Sequence, residues 1–237
     1  MTLIDGKSIS AKVKDEIKSA ASDLAAKGVE PALAVILVGE DAASKTYVAS
    51  KEKACAACGI RSVAHRLSSD VSEAALLELI ENLNEDESID GILVQLPLPK
   101  HIDTNKILEK ISLQKDVDGF SAINVGKLTS GLADGFVPCT PLGVMRLLEE
   151  YGVQIAGKNA VVLGRSNIVG KPMASLLLNA DATVTIAHSK TKNLKQLCAD
   201  ADILVAAVGR THFVGADMVK QGAVVIDVGI NRGEDGK

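Results

Sequence analysis

Short apolar runs alternate with longer amphipathic segments along most of the chain. The apolar runs have the length of buried strands, and several amphipathic segments stop at glycine or proline, as helices do. The predicted strands are 32–38, 62–67, 90–96, 160–163, 183–187, 203–208 and 223–228. The predicted helices are 7–26, 42–58, 72–83, 104–111, 142–150, one beginning at Pro172 and a short one near Leu197. This alternation predicts an α/β fold in which parallel sheets are flanked by helices.

A loop-rich stretch at 115–141 interrupts the alternation and is the best candidate for an interdomain region. We therefore predict two domains, 1–138 and 139–237, and the second restarts the strand–helix pattern. After the last predicted strand the chain ends in the polar, glycine-rich residues 232–237. Because a doubly wound domain normally covers that face with a helix, we expect the second domain to lack its C-terminal end.

The turn after strand 160–163 has features of a dinucleotide site. Gly164 and Gly170 permit tight turning and close approach to a phosphate, and Pro172 suits the first turn of a helix. The N-terminus of that helix offers N–H groups and partial positive charge to an anion. The glycine spacing is wider than G-x-G-x-x-G, so an ordinary strand–helix turn explains this motif equally well. In its context it favours a Rossmann-like domain.

The end of the next predicted strand refines the choice of cofactor. NAD enzymes place a carboxylate there to bind the ribose 2′-hydroxyl, but this chain has His188, Ser189 and Lys190. Arg165 and Ser189, with Lys190 as a further candidate, would instead accept a 2′-phosphate. We therefore predict NADP rather than NAD. His188 is equally well interpreted as a neutral loop residue.

A candidate catalytic pair lies on predicted helix 42–58. Tyr47 and Lys51 are four residues apart and share one helix face. A lysine held in a dry cleft loses part of its preference for the charged form and can pass protons near neutral pH. A solvated surface pair is the alternative. Lys53 lies off that face and is interpreted as a plain surface charge.

Two further polar residues follow apolar segments. Gln95 lies near the end of strand 90–96, where open α/β sheets bind ligands, although an amide bonded to a neighbouring loop is the alternative. Asp118 lies in the interdomain stretch and could bind a cationic or amide-rich ring edge. An Asp-Gly turn is the simpler explanation of that position.

Composition narrows the class of protein. The net charge of −4 and only five aromatic residues exclude a nucleic-acid-binding surface of the usual kind. The four cysteines include Cys55 and Cys58, whose spacing fits redox chemistry or half of a zinc site. Nothing completes a metal set, so we expect buried thiols, no metal and a cytoplasmic enzyme. No signal peptide or membrane-spanning run is evident.

Six groups of residues together resemble the bifunctional methylenetetrahydrofolate dehydrogenase/methenyltetrahydrofolate cyclohydrolase family. They extend from one end of the chain to the other in a specific order and spacing. They are Val38-Gly39 to Ser44 with Tyr47, Lys51 and Gly59-Ile60; Asp90 to Pro99; Lys115-Asp116-Val117-Asp118-Gly119; Pro138-Cys139-Thr140-Pro141; Gly164-Arg165-Ser166 with Val169-Gly170 and Pro172; and Asp227 to Asn231.

The resemblance implies two activities and a set of site residues. One activity is NADP-dependent oxidation of 5,10-methylenetetrahydrofolate, and the other is hydrolysis of the methenyl product to 10-formyltetrahydrofolate. Lys51 would transfer protons, Gln95 would orient it, Tyr47 would pack against the folate and Asp118 would hold the pterin. The cofactor contacts would be Gly164, Arg165, Ser166, Ser189 and Ile230. Domain 1–138 would be the folate-binding catalytic domain and 139–237 the NADP-binding domain, with a homodimer formed through the latter.

Two alternatives compete with this interpretation. One is a different oxidoreductase on the same scaffold, such as a dehydrogenase of shikimate or amino acids, which would leave Tyr47, Lys51 and Gln95 unexplained. The other is a truncated, inactive dinucleotide-binding module, for which the expected loss of the C-terminal end is the only support.

Overall fold

The protein divides into two compact units, Met1–Asn124 and Val125–Lys237. The structure, a computed structural model, describes residues 2–229. Parallel sheets flanked by helices form both units, so the predicted α/β class is confirmed. The division between the units lies before the boundary at 138 that the sequence predicts, and that functional boundary stays a prediction.

The first unit contains a three-stranded parallel sheet in the order β2-β1-β3. Its elements are α1 (Gly6–Ala25), β1 (Ala32–Val38), α2 (Ala42–Cys58), β2 (Arg61–Leu67), α3 (Glu73–Glu85), β3 (Gly91–Val94) and α4 (Thr104–Lys110). Helix α5 (Ala122–Thr129) crosses the division.

The central strand β1 is buried on both faces. On one face, Ala34 and Ile36 pack with Leu76 and Ile80 of α3. On the other face, Val35 and its neighbours pack with Val48 of α2. A parallel strand covered on both sides has no polar face, and this is why β1 reads as a continuous apolar run in the sequence.

The second unit contains a four-stranded parallel sheet in the order β5-β4-β6-β7. Its elements after α5 are α6 (Cys139–Glu150), β4 (Asn159–Leu163), α7 (Gly170–Asn179), β5 (Thr183–Ala187), α8 (Leu194–Ala199), β6 (Ile203–Ala206), a 3₁₀-helix (Ala216–Met218) and β7 (Val224–Asp227). Val161, Leu163 and Leu204 lie in its core. Within residues 2–229, strands β5 and β7 are the two edges of this sheet.

Helix α5 lies within the stretch 115–141 that the sequence predicts to be loop-rich, and no helix was predicted there. The hydroxyl of Ser121 accepts a hydrogen bond from the backbone N–H of Asn124 and so caps the start of the helix. Within α5, the buried residues include Asn124 and Leu128, whereas the apolar side chain of Ile123 is exposed. The helix therefore lacks the apolar periodicity from which a helix is predicted.

Within residues 2–229, no helix combines the length and the apolar character needed to cross a bilayer.

Candidate active site

Helix α2 places Lys51 on its buried stripe. The buried positions of this helix are Ser44, Val48, Cys55 and Cys58, and Lys51 falls in the gap in this spacing. A lysine at such a position points toward the sheet rather than the solvent, and Lys51 is half-buried. The helix is fixed at both ends, because Asp41 accepts a hydrogen bond from the backbone of Ser44 and Gly59 ends it in a left-handed conformation.

Gln95 lies directly after β3 and meets Lys51. Its backbone N–H donates to the carbonyl of Ile36, so it remains tied to β1 where the ladder ends. Lys51 Nζ donates to Gln95 Oε1 at 3.1 Å. Gln95 Nε2 donates to the carbonyl of Leu96 at 2.8 Å, which holds the amide oxygen toward the lysine. Residues 44 positions apart are thus joined at the carboxyl end of the sheet.

Asp118 occupies a turn that lies within electrostatic reach of Lys51. The N–H of Gly119 donates to the carbonyl of Asp116, and Gly119 has a positive φ of 65°. Burial raises the pKa of Asp118 to about 6, and the charge of Lys51 offsets part of that rise while Asp116 adds to it. Asp118 is therefore part of an Asp-Gly turn and remains the candidate binding residue, so the two interpretations of this position are compatible.

Tyr47 lies one turn before Lys51 on α2, with 38% of its surface exposed. An aromatic ring so exposed offers a flat apolar surface to a ligand. Lys53 is exposed, as its position off the stripe predicts. Cys55 and Cys58 are buried free thiols, as predicted, and burial raises the pKa of Cys55.

The sequence did not single out Asp116. Its carboxylate is buried, with 1% of its surface exposed, and it accepts hydrogen bonds from the backbone of the same turn. The available signal was the pair of aspartates two residues apart, of which one alone was assigned a role.

In the second unit, the β4–α7 loop requires glycine at two positions. Gly164 has a φ of 122°, and a Cβ there would lie 2.5 Å from the carbonyl oxygen of Ala207. A Cβ at Gly170 would collide with the carbonyl oxygen of Gly164. The loop, the start of α7 and the end of β6 therefore approach as closely as backbones can, which is the packing that a dinucleotide-binding turn needs.

Ser166 organises the start of α7. Its hydroxyl accepts hydrogen bonds from the N–H groups of Val169 and Gly170 at 3.1 and 3.2 Å. The hydroxyl proton is left to donate to an acceptor such as a phosphate oxygen. Pro172 lies buried in the first turn of the helix.

Arg165 and Ser189 lie just beyond the carboxyl ends of the neighbouring strands β4 and β5. The ladder pairs Leu163 with Ala187, and each candidate follows its strand by two residues. Both side chains are exposed, as the binding of a phosphate requires. The ring of His188 accepts a hydrogen bond from the N–H of Lys190, which supports its interpretation as a loop residue. Ile230 lies outside the described residues.

A cavity of about 540 Å³ lies at the carboxyl ends of β6 and β7. Arg210, Thr211 and His212 line it, together with Asp227. No role was predicted for these residues from the sequence, although the rule that ligands bind beyond the carboxyl ends of parallel strands applies to β6 as it does to β4.

Comparison with known families matches nearly the whole chain. Residues 4–118 match the tetrahydrofolate dehydrogenase/cyclohydrolase catalytic domain. Residues 138–237 match the tetrahydrofolate dehydrogenase/cyclohydrolase NAD(P)-binding domain.

Individual relatives are similar over all or nearly all of the chain. The bifunctional protein FolD of Campylobacter hominis is 69% identical over 237 residues, 100% of this chain and 83% of that protein. The crystal structure of the bifunctional enzyme FolD from Campylobacter jejuni is 55% identical with a TM-score of 0.98, covering 100% of this chain and 84% of that one. The Trypanosoma brucei enzyme, complexed with NADP cofactor and inhibitor, is 42% identical with a TM-score of 0.94, covering 97% and 79%.

Proposed function

The chain belongs to the tetrahydrofolate dehydrogenase/cyclohydrolase family, and on that premise we propose that Lys51, Gln95 and Tyr47 form its catalytic site, with Tyr47 and Asp118 binding the folate. It is a bifunctional enzyme. It oxidises 5,10-methylenetetrahydrofolate to the 5,10-methenyl form with NADP and hydrolyses that product to 10-formyltetrahydrofolate. The matches support neither a shikimate dehydrogenase nor an inactive module.

The 3.1 Å hydrogen bond from Lys51 Nζ to Gln95 Oε1 is the observation that carries the catalytic assignment. An amide oxygen accepts but cannot take a proton at neutral pH, so it directs the amine without competing for its proton. Gln95 is itself held by the carbonyl of Leu96. A proton-transfer group needs this kind of fixed orientation, because its contribution depends on geometry before pKa.

Hydrolysis of the methenyl group uses Lys51 as the base. Water adds to the methenyl carbon while the Lys51 amine, in its unprotonated form, takes one of the protons of that water. The bond from that carbon to N5 then breaks, the added hydroxyl proton passes to N5, and the formyl group remains on N10. One water is consumed and one proton is released to solvent from Lys51. A well-placed general base contributes roughly 10²–10⁴-fold to such a step.

Oxidation of the methylene group requires orientation more than acid–base chemistry. NADP, when bound, accepts the hydride. Tyr47 would pack its ring against the folate, and Asp118 would hold the amide-rich edge of the pterin. With a pKa of about 6, Asp118 can serve as donor or acceptor near neutral pH.

The cofactor would be held by the β4–α7 loop and the end of β5. The close backbone packing at Gly164 fits a loop whose main-chain atoms approach the pyrophosphate of the cofactor. Ser166 has a hydroxyl proton to donate, and Arg165 with Ser189 would bind the 2′-phosphate. Ile230 completes the proposed set on the basis of family resemblance alone.

The matched pair Lys51→Met and Lys53→Met tests the catalytic assignment. Both lysines lie on α2, but one faces Gln95 and the other is exposed. We expect Lys51→Met to lower the cyclohydrolase rate by roughly 100-fold or more, because the base is lost. Absorbance of the methenyl compound measures both its formation and its hydrolysis.

Lys53→Met should stay within about twofold of the parent enzyme. Equal losses in the two variants would refute the assignment. NADP binding, measured by isothermal titration calorimetry, should be unchanged in both.

We further propose a homodimer formed through the second unit and a cytoplasmic location. The β5 edge supports the first proposal, because Ile186 on that strand and Leu178 on α7 are exposed apolar side chains. Exposed apolar groups beside an unpaired strand edge favour association. The free thiols agree with a reducing compartment.

A further inference from the structure

Asp116 is a buried carboxylate that accepts three hydrogen bonds from N–H groups. Its Oδ1 accepts from the backbone of Phe120 at 3.2 Å. Its Oδ2 accepts from the backbone of Ser121 at 2.9 Å and from Nδ2 of Asn124 at 2.8 Å. An ionised carboxylate only accepts hydrogen bonds, so these three donors suit it. The side chain thus ties residues 116–121, hereafter the 116–121 turn, to the first turn of α5.

The backbone of the same turn is attached to β3. Asp116 forms an isolated parallel bridge with Ile92, whose N–H donates to the carbonyl of Lys115 at 2.8 Å. Val117 packs directly over Gly91, since a Cβ at that glycine would lie 2.5 Å from Val117 Cγ1. Strand β3, which directly precedes Gln95, therefore also carries the 116–121 turn.

From this geometry we propose that Asp116 is a positioning residue, which holds the 116–121 turn so that Asp118 faces Lys51. It contacts no reacting atom itself and acts through Asp118. The effect on folate binding rests on the function proposed above, whereas the effect on Asp118 does not.

The charge of Asp116 gives the proposal a distinctive signature. The charged groups that act on Asp118 are Lys51 from α2 and Asp116 from its own turn. A neighbouring negative charge disfavours ionisation of a carboxyl group. Asp116 therefore favours the protonated form of Asp118, in addition to fixing its position.

The variant Asp116→Asn tests both effects with nearly the same side-chain volume. It removes the charge and replaces one acceptor oxygen by an NH₂ group that faces N–H donors. Titration of ¹³C-labelled aspartate carboxyls by NMR would follow Asp118, with Asp118→Asn identifying its resonance. We expect the titration of Asp118 to move to lower pH by at least about half a unit.

Steady-state kinetics provide the second measurement. In Asp116→Asn we expect the KM for methylenetetrahydrofolate to rise roughly tenfold or more, while the Kd for NADP stays within about twofold. If Asp116 contributed to stability alone, Asp116→Asn would lower Tm without raising the KM for methylenetetrahydrofolate more than the Kd for NADP. An unmoved Asp118 titration, or a folate KM within twofold of the parent, would overturn the proposal.

Asn124→Ala is the companion variant. If Asp116→Asn does not fold, Asn124→Ala tests whether Asp116 positions Asp118. It removes one donor and keeps the charge of Asp116. We expect a smaller rise in folate KM, about three- to tenfold, with the Asp118 titration in place. A folate KM within twofold of the parent contradicts the proposal here as well.

The two readouts also separate this proposal from the proposed function. If the parent enzyme failed to turn over methylenetetrahydrofolate, the function would be wrong, and the NMR titration of Asp118 would still decide whether Asp116 acts on it.

Discussion

At the scale of single residues, Asp118 shows how a site is built at the expense of stability. A carboxyl group is most stable when solvated, yet the 116–121 turn holds this one where burial raises its pKa to about 6. Groups whose pKa is displaced by burial and a specific charge are typical of functional sites. The same displacement makes ionisation of Asp118 a cost to the folded state at neutral pH.

Asp118→Asn should therefore stabilise the protein in a pH-dependent way. The folded pKa is raised above the ordinary value of 3.8, so the contribution of Asp118 is fully present below pH 3.8 and is lost as pH rises through about 6. Relative to the parent, we expect the variant to gain about 1–3 kcal/mol in free energy of unfolding between pH 4 and pH 8. Urea denaturation at the two pH values measures this gain.

Asp134→Asn is the matched control. Asp134 is exposed, and its hydrogen bond from Lys127 lowers its pKa. The control should show no gain at pH 8. A gain in both variants, or in neither, would mean that burial of Asp118 does not cost stability.

Arg165 carries the proposed preference for NADP. A guanidinium next to a 2′-phosphate forms charge-assisted hydrogen bonds worth about 1.5–3 kcal/mol, and NAD lacks that phosphate. In Arg165→Ala we expect the KM for NADP to rise roughly 10- to 100-fold and the KM for NAD to change by less than about threefold. The measurement is reduction of each cofactor in parallel. A parallel loss with both would remove Arg165 from the 2′-phosphate site.

At the scale of elements, the start of α7 depends on the absence of a side chain. The helix begins at Gly170, against the carbonyl oxygen of Gly164. Backbone atoms on both sides leave no flexible group to move aside. The dinucleotide loop is thus shaped by packing at Gly170 as much as by the conformation of Gly164.

The pair Gly170→Ala and Gly143→Ala tests this dependence. Both glycines lie in helices, but a Cβ at Gly143 meets nothing within 4 Å. We expect Gly170→Ala to cost about 1–3 kcal/mol of stability and to weaken NADP binding at least tenfold, because the loop and helix are forced apart.

Gly143→Ala should instead gain about 0.5–1 kcal/mol from helix propensity and leave NADP binding unchanged. Thermal unfolding and cofactor titration measure both variants. If Gly170→Ala bound NADP normally, the close approach would have no role in cofactor binding.

At the scale of the whole molecule, β5 is an edge strand of the sheet that the described residues of the second unit form. Helix α7, which packs on β4 and β5, adds Leu178, with 60% of its surface exposed. Such an edge is either protected or paired in stable proteins, and pairing with a second copy of the chain is the proposed solution.

Sedimentation equilibrium tests the homodimer. The chain has a mass of 24.7 kDa, so we expect a species of about twice that mass. Leu178→Asp should shift the protein toward the monomer, because a charge in an apolar interface must be desolvated. Leu132→Asp, at an equally exposed position of the same unit, should leave the dimer intact. A monomeric parent enzyme would refute the proposal.

The sequence by itself determined the order and type of most elements. Strands β1 and β5 and helix α2 have the bounds that the sequence predicts, because a buried strand or a helix stripe leaves its periodicity in the residues themselves. Helix α5 was missed, since its burial depends on Asn124 and Leu128 rather than on an apolar pattern. The prediction that Lys51 and Gln95 lie near a cleft came from their positions on these elements and from family resemblance.

Only the tertiary structure decided which polar residues meet. The hydrogen bond from Lys51 to Gln95 joins a helix to a strand end 44 residues away, and the raised pKa of Asp118 depends on Lys51 and Asp116 at once. Local sequence patterns record whether a residue is buried, but they do not record which distant element buries it. Partnerships of this kind arise when parallel strands, joined by helical crossovers, bring their carboxyl ends to one edge of a sheet.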